Sequence, residues 1–393
     1  MIRRNTVSSN HPHAFVSALF RVRRNGTSRL RIEAGRLCAS FITLLLLSGC
    51  ASEPVIHVPS RYASDARLIP PSRMLTLSDG AQIPVRIWPA IKPERGIILA
   101  LHGFNDSRDA WEMTAPSLAA AGFTLWAPDL RGFGAAPDRG GWSGTKRMVQ
   151  DTAEELTLIA KERPDMRLWL MGESMGGAVA MLTMSGYRGL YVERPRIAGT
   201  ILLAPAVWNL GSGADIPLRL LAALAPNGRV TGRELPVRVT ASDNISALRR
   251  LYFDPLTLHS TKLIALRGLV DLMSEAAGRS SDQSGPTLIV YGDHDQLIPA
   301  DAMARAWRRL PATVRRDIIP GGHHLLLRDK ARQRIASDIL SWLLTPDVPL
   351  PSGGDVSAAA WASLHAATPH ASGPTSAALP VLLPERMDSL LVK

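Results

Sequence analysis

A serine flanked by glycines stands where an apolar run of the sequence gives way to a helical one. Residues 172–177 read GESMGG, between RLWL and AVAMLTM, and they fit the pattern G-x-S-x-G. A strand that turns sharply into a helix exposes such a serine at the end of a sheet, because only small neighbours fit the bend. The helix N-terminus adds N–H groups and a dipole that favour developing negative charge. Ser174 is therefore the candidate nucleophile.

A nucleophilic serine needs a histidine as base, and the strand-to-helix serine is expected to precede that base in the chain. Six histidines follow Ser174, and the four that lie before residue 346 are His259, His294, His323 and His324. The first lies in a region without regular strands, and the second directly adjoins the candidate acids, too close in sequence to be oriented by them. The other two, in IIPGGHHLLLRD, follow the last apolar run beside glycines, which suits a base that reaches over the sheet edge.

The histidine in turn needs an acid that orients its ring. The sequence TLIVYGDHDQLIP places Asp293 and Asp295 directly after an apolar run that is typical of a buried strand. Aspartate is also common in solvated turns, and the residue types alone leave both positions open.

At this point the sequence resembles the α/β-hydrolase superfamily and, within it, the monoacylglycerol lipase and lysophospholipase branch, whose family also includes serine aminopeptidases of the S33 type. The resemblance covers about residues 75–345 and depends on a set of motifs rather than on any one of them. The matching segments are LHGFNDS (101–107), PDLRGFG (128–134), GESMGG (172–177), GDHDQLIP (292–299) and PGGHHLLLRD (320–329).

The resemblance implies an acid and a base. The family's acid comes three residues after the glycine that ends the strand and four before a proline, which selects Asp295 over Asp293. The family's base precedes a run like LLLRD, which selects His324 over His323. The sequence departs from the family at His323, where many relatives carry tyrosine.

The resemblance also implies an oxyanion hole, made by the backbone N–H groups of Phe104 and Met175. Glu173 is a second departure, since many relatives carry histidine there. His102 is expected to be a packed, hydrogen-bonded residue, because no His or Cys at metal-ligand spacing accompanies it. Asp129 and Arg131 are expected to brace their loop.

The elements that must position these residues alternate along the chain. Short Ile- and Leu-rich runs without period-two alternation indicate strands that are buried on both faces, and helical periodicity separates them. We therefore predict an α/β-hydrolase fold, with a mostly parallel sheet, helices on both faces and an inserted helical cap at about residues 206–285. The predicted strands are IPVRIW, GIILAL, FTLWAP, RLWL, IAGTILL, TLIVYG and VRRDII, and the main predicted helices are 145–163, 174–186, 301–310 and 329–344.

The N-terminal segment is typical of an export signal. Residues 1–49 hold eight arginines and one acidic residue, which is +7 of the chain's formal net charge of +11, and they end in an apolar run too short to span a bilayer comfortably. Leu47-Ser48-Gly49-Cys50 resembles the lipobox of bacterial lipoproteins, which implies cleavage before Cys50 and a lipid on its thiol. Ala51 favours the outer membrane over the inner one by the same resemblance.

The predicted organisation has four parts. The other cysteine, Cys38, lies inside the signal, so no disulfide is expected in the mature chain. Composition separates a polar, Pro-rich stretch and a terminal stretch rich in Pro, Ala, Ser and Gly from the domain between them. The parts are a lipoprotein signal peptide (1–49), a tether (50–72), a hydrolase domain (73–345) and a disordered tail (346–393).

These observations predict a serine hydrolase that cleaves carboxylic esters without a metal or organic cofactor. The resemblance points to monoacylglycerol or lysophospholipid, and a Leu- and Ala-rich cap suits an acyl chain. The mild positive charge left after residue 49 argues against nucleic-acid binding, and a serine nucleophile argues against a haloalkane dehalogenase.

Three alternative functions remain open: an acyltransferase, a non-catalytic lipid-anchored binding protein and an aminopeptidase. The aminopeptidase would need acidic cap residues to hold the substrate amine. The candidates for that role are Asp215, Glu234, Asp243 and Asp254.

Overall fold

The computed structural model describes residues 53–91, 93–187, 193–231 and 239–366. The predicted signal peptide and Cys50 lie outside these ranges, and both stay predictions. Within the described ranges, no helix has the length and apolar character that crossing a bilayer requires.

One eight-stranded sheet organises the described part of the chain, in the order β1-β2-β4-β3-β5-β6-β9-β10. Strands β1 and β2 pair antiparallel, β2 pairs antiparallel with β4, and every other pairing in this sheet is parallel. The strands are β1 (Arg73–Thr76), β2 (Gln82–Trp88), β3 (Gly96–Leu101), β4 (Phe123–Pro128), β5 (Leu168–Glu173), β6 (Gly199–Leu203), β9 (Thr287–Gly292) and β10 (Val314–Ile319), with a separate short ribbon of β7 (Arg229–Val230) and β8 (Thr261–Lys262).

The central strands are buried on both faces, as their unbroken apolar runs predict. Every residue of β3, β4, β5, β6 and β9 is buried, and helices cover the two faces. The predicted α/β-hydrolase fold class is confirmed. The helices are α1 (Ala115–Ala120), α2 (Thr145–Glu162), α3 (Met175–Ser185), α4 (Ser212–Leu224), α5 (Ile245–Phe253), α6 (Leu263–Gly278), α7 (Ala300–Arg309), α8 (Arg332–Leu344) and α9 (Gly354–Ala366).

Helices α4, α5 and α6 and the β7–β8 ribbon occupy the stretch between β6 and β9. This insert is tied to the loop that follows β3: Leu258 N–H donates to the carbonyl of Asn105 at 3.0 Å, and the Asn105 side chain donates to Thr261 Oγ1 at 2.8 Å. Helix α5 packs on the loops after β9 and β10 through an apolar cluster that includes Leu297 and Leu325. The insert therefore lies against the loops that carry the predicted site.

Residues 53–72 differ from the simple tether that their composition predicts. Tyr62 stacks on Phe253 of α5 with ring centroids 5.4 Å apart, and Asp65 pairs with Arg249 at 2.5 Å. Ile56 and Val58 pack against the same cluster. The apolar residues scattered among the prolines find an apolar surface on α5, which a composition argument does not anticipate.

The predicted disordered tail is wrong for residues 354–366, which form α9. Trp361 is buried, with its ring centroid 4.9 Å from that of Trp307 and 5.6 Å from that of Tyr291, and Asp355 pairs with Arg315 at 2.6 Å. This helix docks on β10 through one buried indole and a run of alanines. Residues 367–393 lie outside the described ranges.

Candidate active site

Ser174 stands on a strained bend between β5 and α3. Its φ of 54° and ψ of −115° lie in a region that residues with a side chain rarely adopt. The bend is held from β6, because Ser174 N–H donates to the carbonyl of Leu203 at 2.9 Å and Ala206 N–H donates to the carbonyl of Ser174 at 2.9 Å. The residue is 6% exposed. Strain of this kind at a buried serine is a mark of a functional site.

The glycines around Ser174 leave no room for side chains. A Cβ on Gly172 would lie 2.3 Å from the carbonyl oxygen of Gly176, and a Cβ on Gly176 would lie 2.1 Å from that of Leu101. A Cβ on Gly103 would lie 3.5 Å from the Ser174 Cβ, so the loop after β3 lies directly against the serine. The spacing of the motif is therefore a steric requirement of the turn.

Asp295 and His324 are brought together by the loops that follow β9 and β10. Nδ1 of His324 lies 2.8 Å from Oδ2 of Asp295, and both side chains are fully or almost fully buried. The other oxygen of Asp295 accepts the N–H groups of Leu297 at 2.8 Å and Ile298 at 3.0 Å. A carboxylate held by these donors fixes the proton of the imidazole on Nδ1 and leaves Nε2 able to accept one.

Asp293 and His323, the alternative acid and base, form hydrogen bonds within the loops instead. Asp293 is exposed and accepts the N–H of Gly321 at 2.6 Å. His323 directs Nδ1 to Asp329 at 3.3 Å, and its N–H donates to the same carboxylate at 2.7 Å. The geometry thus pairs Asp295 with His324 and gives Asp293 and His323 roles in shaping the loop between them.

The charge balance around His324 favours its protonated form. Burial disfavours the imidazolium, but the contact with Asp295 and the nearby charge of Glu173 outweigh burial, and they raise the pKa of His324 above its ordinary value. Burial also raises the pKa of Glu173, and Arg328 opposes that rise. A base with this environment holds a proton more readily than a free imidazole does.

The residues implied for the oxyanion hole lie on two sides of the serine. Met175 is the first residue of α3 and follows Ser174 directly, while Phe104 packs edge-on against Phe133 with centroids 5.2 Å apart. His102 fixes the loop of Phe104, since its Nε2 accepts the N–H of Leu130 at 2.9 Å and its Nδ1 lies 2.7 Å from the carbonyl of Gly103. Burial lowers the pKa of His102, which agrees with a neutral, hydrogen-bonded ring.

Asp129 and Arg131 brace their loop, as the sequence predicts. Asp129 is fully buried, forms an ion pair with Arg108 and accepts the N–H of Ala135 at 2.8 Å. Arg131 pairs with Asp151 of α2 at 2.8 Å. Both residues hold backbone in place beside the sheet edge.

A buried ion network beside the serine was not predicted from the sequence. Arg328 contacts Asp106 and lies 3.1 Å from Glu173, and all three residues are buried. The motifs GESMGG and HHLLLRD contain two of the three, yet nothing in their spacing indicates that they meet. The only signal was Glu173 itself, a charged residue in a motif where relatives often carry histidine.

One group of side chains has the spacing of metal ligands. Ligand atoms of Asp243, His323 and Asp329 lie within 4.8 Å of one another. Asp329 accepts the N–H groups of both other members, at 3.2 Å from Asp243 and 2.7 Å from His323, and Asp243 accepts the N–H of Lys330 at 2.8 Å. These contacts tie the insert to the loop of His324 and account for the cluster without an ion.

Comparison with known families identifies the chain. Residues 92–331 match the sequence profile described as serine aminopeptidase, S33, a family of hydrolases. The chain belongs to this family. Its turn at Ser174 lies on the α/β-hydrolase fold that the motifs predict.

Several relatives of this S33 chain are named monoacylglycerol or monoglyceride lipase. It is 26% identical over 285 residues to the monoacylglycerol lipase of Mycolicibacterium smegmatis, a match that covers 68% of this chain and 94% of the relative. It is 29% identical over 233 residues to the monoglyceride lipase of Homo sapiens, over 57% of this chain and 73% of that one.

Solved structures agree on the fold of this S33 chain. A monoacylglycerol lipase from Paleococcus ferrophilus superposes with a TM-score of 0.56 at 20% identity, over 67% of this chain and 98% of that one. A soluble variant of monoglyceride lipase from Saccharomyces cerevisiae, solved with a substrate analogue, gives a TM-score of 0.57 at 19% identity, over 75% and 98% of the two chains. The chain is a serine hydrolase of carboxylic esters, as its motifs predict.

Proposed function

We propose that the chain is a lipid-anchored hydrolase of monoacylglycerol or lysophospholipid that works through Ser174, His324 and Asp295. The observation that carries the proposal is the buried 2.8 Å contact between Asp295 and His324, at the same sheet edge as the strained turn of Ser174. A nucleophile at a strand-to-helix turn and a base oriented by a carboxylate are the parts that acyl transfer requires.

The reaction follows from these positions. Ser174 Oγ attacks the acyl carbonyl while His324 Nε2 takes the hydroxyl proton, and the N–H groups of Phe104 and Met175 stabilise the oxyanion. The bond from carbon to the alcohol oxygen breaks as His324 returns the proton to the leaving alcohol. A water molecule, deprotonated by His324, then attacks the acyl carbon. The bond from that carbon to Ser174 Oγ breaks as His324 returns the proton to the serine, and the fatty acid leaves.

The insert supports a substrate with an acyl chain. Helix α4 exposes Ile216, Leu220 and Leu224 at four-residue spacing, with more than half of each side chain accessible. An apolar stripe of this kind suits contact with lipid. The names of the bacterial and human relatives reported above, monoacylglycerol lipase and monoglyceride lipase, point to the same substrate class.

The aminopeptidase alternative follows from the family name and has less support from the insert. Asp215 pairs with Arg219 at 2.7 Å and with Arg267 at 2.6 Å, and Asp243 accepts a loop N–H. Asp254 is buried beside Arg250, and burial raises its pKa to about 7. Among the described residues, these candidate anchors for a substrate amine already have partners; Glu234 lies outside the described ranges.

The test is a substrate panel on the purified full chain in detergent, with Ser174→Ala as the blank. The panel holds short- and long-chain p-nitrophenyl esters, monoacylglycerol, lysophosphatidylcholine and an aminoacyl anilide. We expect serine-dependent release from long-chain monoesters, and His324→Ala should abolish it while His323→Ala retains it. Hydrolysis of the anilide alone would move the enzyme to the peptidases, and a dead His323→Ala beside an active His324→Ala would overturn the assignment of the base.

The anchor is a separate part of the proposal. The apolar run and the sequence Leu47-Ser48-Gly49-Cys50 support cleavage before Cys50 and lipidation of its thiol. Ala51 supports location in the bacterial outer membrane rather than the inner one. Fractionation of cells that express Cys50→Ala should recover the protein in soluble fractions, whereas the parent chain sediments with membranes. Unchanged sedimentation of Cys50→Ala would contradict lipidation.

A further inference from the structure

One buried guanidinium joins the three loops that carry the candidate catalytic groups. Arg328 follows His324 by four residues, in the short 3₁₀ turn Leu326–Arg328. A single terminal nitrogen of Arg328 contacts Asp106, in the loop of Phe104, and Glu173, which adjoins Ser174. All three ionic side chains are at most 6% exposed, so each depends on the others for its solvation.

We propose that Glu173 and Arg328 are positioning residues for the reaction of Ser174, a proposal that rests on the proposed function. Through its contacts with Asp106 and Glu173, Arg328 fixes its own loop, which carries His324, against two others. These are the loop of Phe104 and the turn of Ser174. Glu173 also supplies a second negative charge near His324, besides that of Asp295, which stabilises the imidazolium that forms when Ser174 gives up its proton.

The ion network has the geometry that a positioning role requires. A guanidinium stays charged even when it is buried, and one terminal nitrogen of Arg328 serves a carboxylate from each of two other loops. Loops that follow β3, β5 and β10 have no covalent connection near the site, and an error of about 1 Å in their relation is costly for catalysis. Asp106 extends the link to the backbone, because its other oxygen accepts the N–H of Ser107 at 2.8 Å.

The charges that act on His324 come from three elements. Asp295, in the loop after β9, and Glu173, at the end of β5, favour the imidazolium, whereas Arg328, in the turn after β10, disfavours it. Loss of Glu173 and loss of Arg328 should therefore move the pKa of His324 in opposite directions. A residue that acted only through stability would not have that signature.

The experiment measures two rates between pH 5 and pH 9 for full-length wild type, Glu173→Gln and Arg328→Met. The first is kcat/KM for a long-chain p-nitrophenyl ester, and the second is the rate at which a fluorophosphonate labels Ser174, which needs no knowledge of the physiological substrate. We expect Glu173→Gln to lower kcat about tenfold with little change in KM. It should also move the acid limb of the pH–rate profile down by roughly half a pH unit, a smaller shift than the loss of a directly contacting charge would cause. Arg328→Met should slow the reaction and move the limb up.

Two further variants separate positioning from charge. The double variant Glu173→Gln/Arg328→Met should bring the limb back to the wild-type value, with a smaller loss of kcat than the product of the two single losses. Arg328→Lys keeps the charge on a shorter side chain that reaches both carboxylates less well, so we expect a lower kcat at an unchanged acid limb. This variant also serves if Arg328→Met does not fold. Asp151→Asn, which removes the buried ion pair with Arg131 and touches none of the three network residues, should lower the melting temperature and leave the acid limb in place.

The outcomes separate this proposal from the proposed function. If Ser174→Ala keeps ester hydrolysis and fluorophosphonate labelling, the proposed function fails. If Ser174→Ala is inactive but the limbs of Glu173→Gln and Arg328→Met coincide with that of wild type, or the two losses simply multiply in the double variant, the positioning role alone is overturned.

Discussion

Two buried carboxyl groups on neighbouring strands have opposite surroundings. Asp295 follows β9 and has donors for both oxygens: two backbone N–H groups and the imidazole of His324. Asp317 lies inside β10, is fully buried, and has no hydrogen-bond partner for either oxygen among the described residues. Burial raises the pKa of Asp317 to about 8, and the nearby Asp338 and Asp355 add to the rise.

The difference shows that burial alone does not make a carboxyl group useful for catalysis. A carboxylate with three donors can stay ionised in a dry site and can stabilise an imidazolium. A buried carboxyl group without donors keeps its proton, because burial penalises the ionised form. Asp317 lies against the start of α9, where a Cβ on Gly354 would meet its Oδ1, so its protonation bears on the docking of that helix.

The largest expected effect comes from removing the charge of Asp295. Asp295→Asn should lower kcat/KM by about a thousandfold or more, because the amide cannot hold the imidazole in the required tautomer. Asp293→Asn, the matched control two residues away, should retain more than half of the wild-type activity. Steady-state ester hydrolysis on both variants checks this, and equal losses at the two positions would contradict the assignment of Asp295.

A smaller effect on stability, with the opposite sign, is expected at Asp317. Since the pKa of this carboxyl is raised to about 8 in the folded protein from an ordinary 3.8, the unfolded state releases its proton first, and stability falls as pH rises between these values. Asp317→Asn cannot ionise and should match wild type near pH 5. At pH 8.5 the variant should be more stable by about 4 kcal/mol, which is what proton linkage removes from wild type between pH 5 and pH 8.5.

Thermal melts of the two proteins at pH 5, 7 and 8.5 measure this difference. Parallel pH slopes for wild type and Asp317→Asn would show that another group controls the dependence. Ester hydrolysis by Asp317→Asn at pH 7 should equal that of wild type, which separates this carboxyl from the site of Asp295.

The smallest of the three effects is expected at α9 itself. Trp361→Ala should lower the free energy of unfolding by about 3 kcal/mol, since it removes a buried indole from between Trp307 and Tyr291. The folded fraction should keep its kcat/KM, because α9 lies on the strand edge and not among the loops of the site. Denaturant unfolding monitored by fluorescence gives the first quantity; a lost kcat/KM in folded protein would mean that α9 supports the site.

The sequence predicts the parts of the fold that depend on local patterns. Unbroken apolar runs give the central strands, and helical periodicity gives α2 (Thr145–Glu162) within one residue of the predicted 145–163. The turn of Ser174 is predictable because its glycines are sterically necessary. These features need only neighbours in the chain, so a single sequence contains enough information.

Features that depend on distant partners were missed or wrong. The contact of Arg328 with Glu173 joins positions 155 apart in the chain, and no pattern in either motif encodes it. The docking of helix α9 depends on the packing of Trp361 against residues far away in the sequence. The docking of the segment around Tyr62 likewise depends on an apolar face of α5. Strand β1, four residues long with one buried side chain, is too short to give a periodic signal.

The docked N-terminal segment bears on the proposed lipid anchor, because few residues separate Cys50 from the folded domain. Glu53 already accepts the N–H of His259 at 3.1 Å and lies 3.7 Å from Arg139, so only two residues separate it from Cys50. With the proposed lipid on Cys50, the three residue steps from Cys50 to Glu53 could span at most about 10 Å. Such an enzyme would hydrolyse single substrate molecules at the membrane surface and would not diffuse into the surrounding aqueous phase.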